Sequence, residues 1–290
     1  MKYTYFPGCS GEATAKAYDI STRSMIAKLG LEMVELEDWN CCGATSYFST
    51  RELMSFAINA RNLSIAEGMG STDLIAACNS CFTGLAKTNK YMHQSPHLAE
   101  EVNEALAQVG RTYNGTVNVR HIVDVLVNDF GIDAIVEKVT RRLTGIKVAI
   151  YYGCQFSRPM GDFDDFEFPT TLDRLFEAIG ATVVDFPSKT KCCGGMMMMI
   201  DAAPATKMCY ELLRSAAEAE PDVIVCACPL CEMNMEAYQS KVNAKYGTDF
   251  RIPVMYFTQL AGYALGCDPK DLALEKQLIP VDAVLAAVPA

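Results

Sequence analysis

The sequence predicts an α/β protein built from two similar modules, each a small parallel sheet flanked by helices, related by a pseudo-two-fold axis. Two observations predict this: a cysteine pattern that occurs twice, and short apolar segments that alternate with helical segments in each half. The 290 residues are also sufficient for two domains. We therefore expect modules at residues 1–143 and 144–290, which meet where TRRLTGIK (140–147) interrupts the repeat.

Five cysteines in each half carry the repeat. They have the same order and type, a single cysteine, an adjacent pair and a Cys-x-x-Cys, at intervals of similar length. The sequences around them also agree: YFPGCS resembles YYGCQ, and NCCGA resembles KCCGG. The two sets are Cys9, Cys41, Cys42, Cys78 and Cys81, and Cys154, Cys192, Cys193, Cys228 and Cys231.

Each half predicts the same succession of elements. Apolar segments typical of buried strands occur at 2–6, 31–36 and 72–77 in the first half, and at 146–152, 181–186 and 221–227 in the second. Helical patterns lie between them, at about 14–29, 50–68, 169–180 and 203–219. All five cysteines of a half follow strand ends. In open parallel sheets those ends form the ligand crevice, so each set should share one site.

Composition and charge exclude several classes of protein. The net charge of −10 argues against a nucleic-acid protein, which usually carries a basic face. The N-terminus has no apolar signal core, and no apolar run is long enough to cross a bilayer, so we expect a cytoplasmic protein without a membrane span. Thirteen cysteines without an export signal favour metal binding or redox chemistry over structural disulfides.

Five thiols at one site exceed the four ligands of a structural zinc ion or of an iron–sulfur cube. Either one cysteine is spare, or one thiolate bridges two irons in a cluster that is not a cube. Gly43, Gly194 and Gly195 beside the pairs would relieve crowding there. Gly8 and Gly153 either let the backbone approach a cluster or are ordinary turn residues.

The doubled five-cysteine motif resembles the duplicated CCG domain of the heterodisulfide reductase B-subunit family of methanogens, over nearly the whole chain. The resemblance implies two noncubane [4Fe-4S] clusters that face each other across the module interface and reduce the coenzyme M–coenzyme B disulfide. The first cluster would be bound by the first cysteine set and the second cluster by the second set. It also implies two partners, a ferredoxin-like C subunit and a flavoprotein A subunit, in a hydrogenase- or formate dehydrogenase-linked complex.

Two other functions are compatible with the same residues. One is that of a CCG electron-transfer protein within a flavin-linked succinate- or glycolate-type oxidoreductase, which would bind no disulfide. The other is that of a structural zinc protein with no redox role. No ferredoxin-type cysteine run and no nucleotide-binding G-x-G-x-x-G motif occurs, so electrons must come from another chain.

Several other residues have less certain roles. We expect Cys209, Cys226 and Cys267 to be structural, because none has a counterpart in the other half. Met196 to Met199 are either flexible core filler or an apolar wall beside a cluster, and His93, His97 and His121 stay outside the predicted site. Because both coenzymes are anions, we expect cationic side chains near the crevice. The candidates are Lys16, Arg158 and Lys191.

Overall fold

The computed structural model describes residues 2–43 and 47–288. It contains two four-stranded, fully parallel sheets, one in each half of the chain. The strand orders are β2-β1-β3-β4 and β6-β5-β7-β8, so the two sheets share one topology. This confirms the predicted α/β class. The strands are Lys2–Phe6 (β1), Glu32–Glu35 (β2), Asp73–Ala76 (β3), Asn118–His121 (β4), Lys147–Tyr151 (β5), Thr182–Val183 (β6), Val223–Cys226 (β7) and Val254–Tyr256 (β8).

Helices connect the strands and cover the sheets. Those in the first half are Cys9–Glu12 (α1), Lys16–Leu29 (α2), Tyr47–Thr50 (α3), Glu52–Gly68 (α4), Asn79–Gln94 (α5), Pro96–Ala107 (α6), Ile122–Asp124 (α7) and Ile132–Val136 (α8), with a π-helical turn at Val125–Gly131. Those in the second half are Thr171–Ala178 (α9), Met197–Ile200 (α10), Ala202–Ala217 (α11), Pro229–Glu236 (α12), Gln239–Tyr246 (α13), Phe257–Ala264 (α14) and Asp282–Ala286 (α15). Short 3₁₀ turns occupy Pro269–Leu272 and Leu274–Lys276.

The six segments that predict strands all contain one. The fourth strand of each sheet, β4 and β8, was missed. NVRH has one aliphatic residue in four and its buried position is a histidine, whereas VMY is three residues long, so neither gives a periodic signal that sequence can resolve. Both strands add to the same edge of their sheet, next to the strand that precedes the Cys-x-x-Cys motif.

The two halves share a core. Helix α2 packs on α14 of the other half. At this contact the Ser21 and Thr258 hydroxyls are 2.6 Å apart, and the ring of Tyr18 stacks on that of Tyr256 with centroids 4.3 Å apart. Large buried side chains at such a contact hold the halves together through the hydrophobic effect. Within the described ranges, no helix is long and apolar enough to cross a bilayer.

Candidate metal centre

The first cysteine set gathers at the carboxyl edge of the first sheet. Cys9 begins α1 after β1, the Cys41–Cys42 pair follows β2, and Cys78 precedes α5 after β3. The Sγ atoms of Cys41 and Cys9 are 3.3 Å apart, and those of Cys42 and Cys81 are 3.4 Å apart. Loops distant in sequence thus meet at one edge because parallel strands all point to it.

The second set has the same arrangement at the second sheet. The Sγ atoms of Cys193 and Cys231 are 3.7 Å apart, and the Cys154 thiol interacts with Cys192. Backbone N–H groups in the CCG turn donate to the sulfurs of the adjacent cysteine pair. Gly194 donates to Cys192 at 3.3 Å, and Gly195 donates to Cys193 at 3.4 Å. In the first set, Gly43 donates to Cys41 at 3.4 Å.

The two sets meet at the interface between the halves. Cys78 and Cys228, the first cysteines of the two Cys-x-x-Cys motifs, interact through their side chains. The Tyr18 hydroxyl lies between these loops and donates to the carbonyl of Ala77 at 2.8 Å and to that of Ala227 at 3.3 Å. Ten thiols therefore occupy one continuous region that spans both halves.

Two glycines bring the backbone against this region. Gly8 and Gly153 both have positive φ, 74° and 73°, a conformation that other residues rarely adopt. A Cβ on Gly8 would lie 2.9 Å from Cys81 Sγ, and a Cβ on Gly153 would lie 3.0 Å from Cys231 Sγ. Of the two interpretations of these glycines, close approach to the cysteine site is therefore the one that the geometry favours.

The thiols differ in their tendency to ionise. Hydrogen bonds from Cys42 and Cys9 lower the pKa of Cys41 to about 2, and hydrogen bonds from Cys154 and Cys193 lower that of Cys192 to about 2. Hydrogen bonds from Cys231 and Cys78 lower the pKa of Cys228. Because the thiolate is the form that binds metal, each set contains at least one ready ligand at neutral pH.

Each set borders a cavity, and the two cavities differ in character. The one beside Cys9 and Cys41 has a volume of about 690 Å³. Its other lining residues are mainly acidic or aromatic, and include Glu12, Glu35, Glu37, Asp38 and Trp39. The cavity at the second set has a volume of about 420 Å³ and contains all five of its cysteines, together with Asn79 and Ser80 of the first half.

The wall of the second cavity is apolar. Met196 and Met197 line it together with Ile200, Pro204 and Leu230, and Asp201 is its one charged lining residue among those described. Met198 is buried and receives a hydrogen bond from the Thr206 hydroxyl. Three of the four methionines thus take the two predicted roles, because Met196 and Met197 form cavity wall and Met198 fills the core, whereas Met199 is 69% exposed and takes neither.

The three predicted basic residues do not line either cavity. Lys16 is exposed at the first position of α2. The Arg158 guanidinium donates to the carbonyl of Thr190 at 2.6 Å, next to the exposed Lys191. Their role in anion binding stays a prediction, and the structure places two of them together beside the second CCG turn.

Buried polar residues that sequence reasoning missed support the site. Asn79 donates to the carbonyl of Tyr152 at 2.7 Å, which joins the halves, and its Oδ1 is 3.1 Å from Nε2 of His121. Asn59 donates to the carbonyl of Cys42 at 2.8 Å. The Cys209 thiol, expected to be structural, donates to the carbonyl of Cys193 at 3.2 Å. A residue type alone gives no sign of such contacts.

The residues present suit an iron–sulfur cluster. The sulfurs lie in close pairs, Cys9 with Cys41 and Cys42 with Cys81 in the first set, and Cys193 with Cys231 in the second. Two groups of five thiols with backbone N–H donors, six of the ten thiols buried, are the donor chemistry that iron–sulfur clusters use.

Comparison with known proteins gives the family. The cysteine-rich CCG domain matches residues 3–86 and 148–236. The chain belongs to the CCG family. It is 32% identical to the B subunit of the ferredoxin:CoB-CoM heterodisulfide reductase of Methanosarcina mazei, over 99% of this chain and 97% of that protein. It is 31% identical to the 8-methylmenaquinol:fumarate reductase membrane anchor subunit of Wolinella succinogenes, over 96% of this chain and 97% of that protein.

A solved structure agrees on the fold. A hypothetical protein from Helicobacter pylori superposes with a TM-score of 0.78 at 15% identity, over 97% of this chain and 52% of that one. At this identity the likeness shows the fold alone. Together, the sequence relatives place the chain in the heterodisulfide reductase B-subunit family, and the CCG matches confirm the two copies of the cysteine motif.

Proposed function

We propose that this chain is the disulfide-reducing subunit of a heterodisulfide reductase and holds two noncubane [4Fe-4S] clusters, one at each cysteine set. The main support is the arrangement of the ten cysteines. Two sets of five gather at the carboxyl edges of two sheets and meet at Cys78 and Cys228. A disulfide bound between them would have one sulfur near each set.

The reaction is RSSR′ + 2 e⁻ + 2 H⁺ → RSH + R′SH. When bound, the clusters supply the one-electron steps that thiols alone do not. The chain's own residues hold and shield the site. Cys41 and Cys192, whose pKa values hydrogen bonds lower, would bind metal as thiolates at neutral pH, and Gly8 and Gly153 let the backbone pack against the sulfurs. Met196, Met197 and Leu230 give the second set an apolar wall, against which the alkyl part of a thiol would pack.

The substrate we propose is the coenzyme M–coenzyme B disulfide. Lys16, Arg158 and Lys191 are the proposed contacts for its sulfonate and phosphate groups. The acidic lining of the first cavity opposes anions there. The side of Arg158 and Lys191, beside the second CCG turn, is therefore the more favourable approach for an anionic substrate.

The proposed partners are a ferredoxin-like C subunit, which delivers electrons singly, and a flavoprotein A subunit further upstream, in a hydrogenase- or formate dehydrogenase-linked complex. We expect the assembly to be cytoplasmic. Support comes from relatives whose names describe subunits of reductase complexes, and from the absence of a nucleotide-binding glycine motif in the sequence.

One observation favours a second candidate function, electron transfer without disulfide chemistry. A relative of similar identity is the membrane anchor of a menaquinol:fumarate reductase. The second cavity is apolar and contains no basic side chain among its described lining residues. An apolar electron acceptor would suit this wall as well as the alkyl part of a thiol does.

Two measurements on the anaerobically purified chain test the proposal. Iron and sulfide analysis with Mössbauer spectroscopy should give eight irons in two clusters of equal size. A reduced dye should then drive cleavage of the heterodisulfide, and added coenzyme thiol should perturb the paramagnetic signal of one cluster. Zinc in place of iron would contradict the cluster assignment. Eight irons with no turnover and no thiol effect would favour the electron-transfer function.

A further inference from the structure

The segment after the single cysteine is long in the second module and short in the first. Helix α2 begins at Lys16, soon after Cys9, whereas α9 begins only at Thr171 after Cys154. We call residues 155–170 the insert loop. Its root crosses to the first half. Ser80 donates to the Gln155 side chain at 2.7 Å, and the Phe156 ring contacts His121 with centroids 5.0 Å apart.

The tip of the insert loop is held by its own carboxylates. Asp164 accepts hydrogen bonds from the backbone N–H groups of Thr170 and Thr171. Asp165 accepts from those of Glu167 at 2.8 Å and Phe168 at 2.7 Å. These bonds fix the loop before any partner binds, which lowers the entropy lost on association.

This ordered tip presents two phenylalanines to solvent. Phe166 is 45% exposed and Phe168 is 72% exposed, and the neighbouring Asp162, Asp165 and Glu167 are also exposed. Large aromatic side chains on a fixed scaffold are the usual anchors of protein interfaces, and carboxylates around them favour a basic rim on the partner.

We propose that the insert-loop tip docks the electron-donating partner, a protein that offers an apolar pocket rimmed by Lys and Arg. The occupant follows from position. Gln155, the first residue of the loop, lines the cavity of the second cysteine set, and the Ser157 hydroxyl donates to the Phe166 carbonyl at 3.5 Å, so the tip folds back toward the part of the loop next to Cys154. This inference rests on the proposed function, which supplies the ferredoxin-like protein as the donor.

The test measures the affinity of the purified ferredoxin-like protein for the cluster-loaded chain. Phe166→Ala together with Phe168→Ala should weaken binding at least about tenfold, since anchor residues of this kind carry much of an interface's energy. Glu167→Lys should also weaken binding, and the loss should be larger at low salt than at high salt, because salt screens the interaction between charges. Val109→Ala, at an exposed apolar residue after α6, is the control and should bind as the wild type.

Equal binding by wild type and the double variant would overturn the docking site while leaving the role of the ferredoxin-like protein intact. If the wild type bound only the flavoprotein, the ferredoxin-like occupant would be wrong, although the disulfide reaction could still be measured with a dye. Iron content and thermal unfolding of each variant should stay close to those of the wild type, because both phenylalanines are exposed at the tip rather than part of the core.

A separate observation concerns one buried amide beside the second CCG turn. Asn234, on α12 and 0% exposed, donates through Nδ2 to the carbonyl of Cys193 at 3.2 Å and to that of Gly195 at 3.0 Å. The same nitrogen lies 3.7 Å from Cys193 Sγ. In the first half, Asn59 holds the carbonyl of Cys42 from a different helix, α4.

The geometry points to Asn234 as a positioning residue for the second cluster, and this too rests on the proposed function. It spans the turn from Cys193 to Gly195 and so fixes the direction of the Cys193 sulfur. An N–H donor near a ligand sulfur also stabilises the more negative, reduced state, so it should raise the reduction potential.

Redox titration followed by electron paramagnetic resonance tests this on the cluster-loaded chain. Asn234→Leu should lose about half of the iron or lower one of the two cluster potentials. The isosteric Asn234→Asp should lower that potential further, because aspartate adds negative charge. The control is Asn243→Leu on α13, which removes a partly buried amide contact to the carbonyl of Phe250 and should leave both potentials unchanged. Two wild-type potentials in both Asn234 variants would overturn the assignment. Iron-free wild type would instead refute the proposed function.

Discussion

The two modules share strand order and cysteine spacing, but their sites face different surroundings. The first cavity is bordered by exposed Cys9 and Cys41 and by carboxylates, two of which are paired: Arg23 contacts Glu35 at 2.6 Å and Arg61 contacts Asp38. The second cavity is apolar and reaches across to Asn79. Duplication has therefore kept the thiols and the sheet that presents them, while the walls around each site have diverged.

The same divergence occurs behind the two Cys-x-x-Cys motifs. At the end of β4, His121 contacts Asn79, the residue after Cys78. At the equivalent end of β8, the Tyr256 hydroxyl donates to Glu232, the residue after Cys231, at 2.9 Å. Burial raises the pKa of Glu232 to about 8 and lowers that of His121 to about 4, so both groups are mostly uncharged at neutral pH. The carboxyl gains its charge as the pH rises and the imidazole as it falls, so the two modules differ in how they respond to pH.

Removal of a paired cysteine should have the largest effect and should separate the modules. Cys42→Ala and Cys193→Ala should each remove about half of the bound iron, because each deletes one ligand from one set. The measurement is iron per chain with Mössbauer spectra. Cys209→Ala and Cys267→Ala are matched controls at buried cysteines and should keep full iron. Loss of iron in Cys209→Ala comparable to that in Cys193→Ala would show that the ligand assignment is wrong.

Replacement of the glycine before each single cysteine by alanine should have the next largest effect. Gly8→Ala and Gly153→Ala put a Cβ within 2.9 and 3.0 Å of a cysteine sulfur and also force a positive φ. Each should destabilise its own module by about 1–3 kcal/mol and reduce iron binding there. Thermal unfolding and iron content are the measurements.

The control for these variants is Gly247→Ala. Gly247 has φ of 68°, but a Cβ there would have no neighbour within 4 Å. Its variant therefore carries the backbone strain without the clash. If it lost as much iron as Gly153→Ala, the close approach to sulfur would not be the reason for the glycine.

Sequence alone predicted what depends on local pattern. The repeated cysteines, the strands before them and the gathering of each set at one sheet edge all follow from short motifs and from the geometry of parallel strands. What it could not predict depends on tertiary packing. The contact of Asn79 with Tyr152, the burial of His121 and the direction of the Arg158 guanidinium toward Thr190 join segments far apart in the chain.

The interface between the modules should be sensitive to acid. Burial lowers the pKa of His121 from 6.5 to about 4. Below pH 6.5 the unfolded chain gains a proton at this residue that the folded chain does not, so stability falls as the pH decreases from 6.5 to 4. The loss attributable to His121 should be on the order of 3 kcal/mol.

His121→Gln should remove this part of the pH dependence. Its free energy of unfolding, measured by urea titration between about pH 7 and pH 4, should fall less steeply than that of the wild type. His97→Gln replaces a histidine at the surface and is the control. Parallel curves for wild type and His121→Gln would mean that acid acts elsewhere in the chain.

The smallest expected effects are at the basic residues near the two sites, and they test which side receives an anionic substrate. Arg158→Ala should weaken binding of the heterodisulfide about two- to tenfold, a range that corresponds to the loss of one charged contact at a partly exposed position. Lys191→Ala should have a smaller effect of the same sign, because its side chain is exposed. Lys16→Ala, in the module with the acidic cavity, should have the smallest effect on binding.

Iron content and cluster spectra should be unchanged in all three variants. Affinity should be measured at two salt concentrations, since screening reduces the contribution of an exposed charge. A larger loss for Lys16→Ala than for Arg158→Ala would place the anionic groups on the first module and reverse the proposed direction of approach.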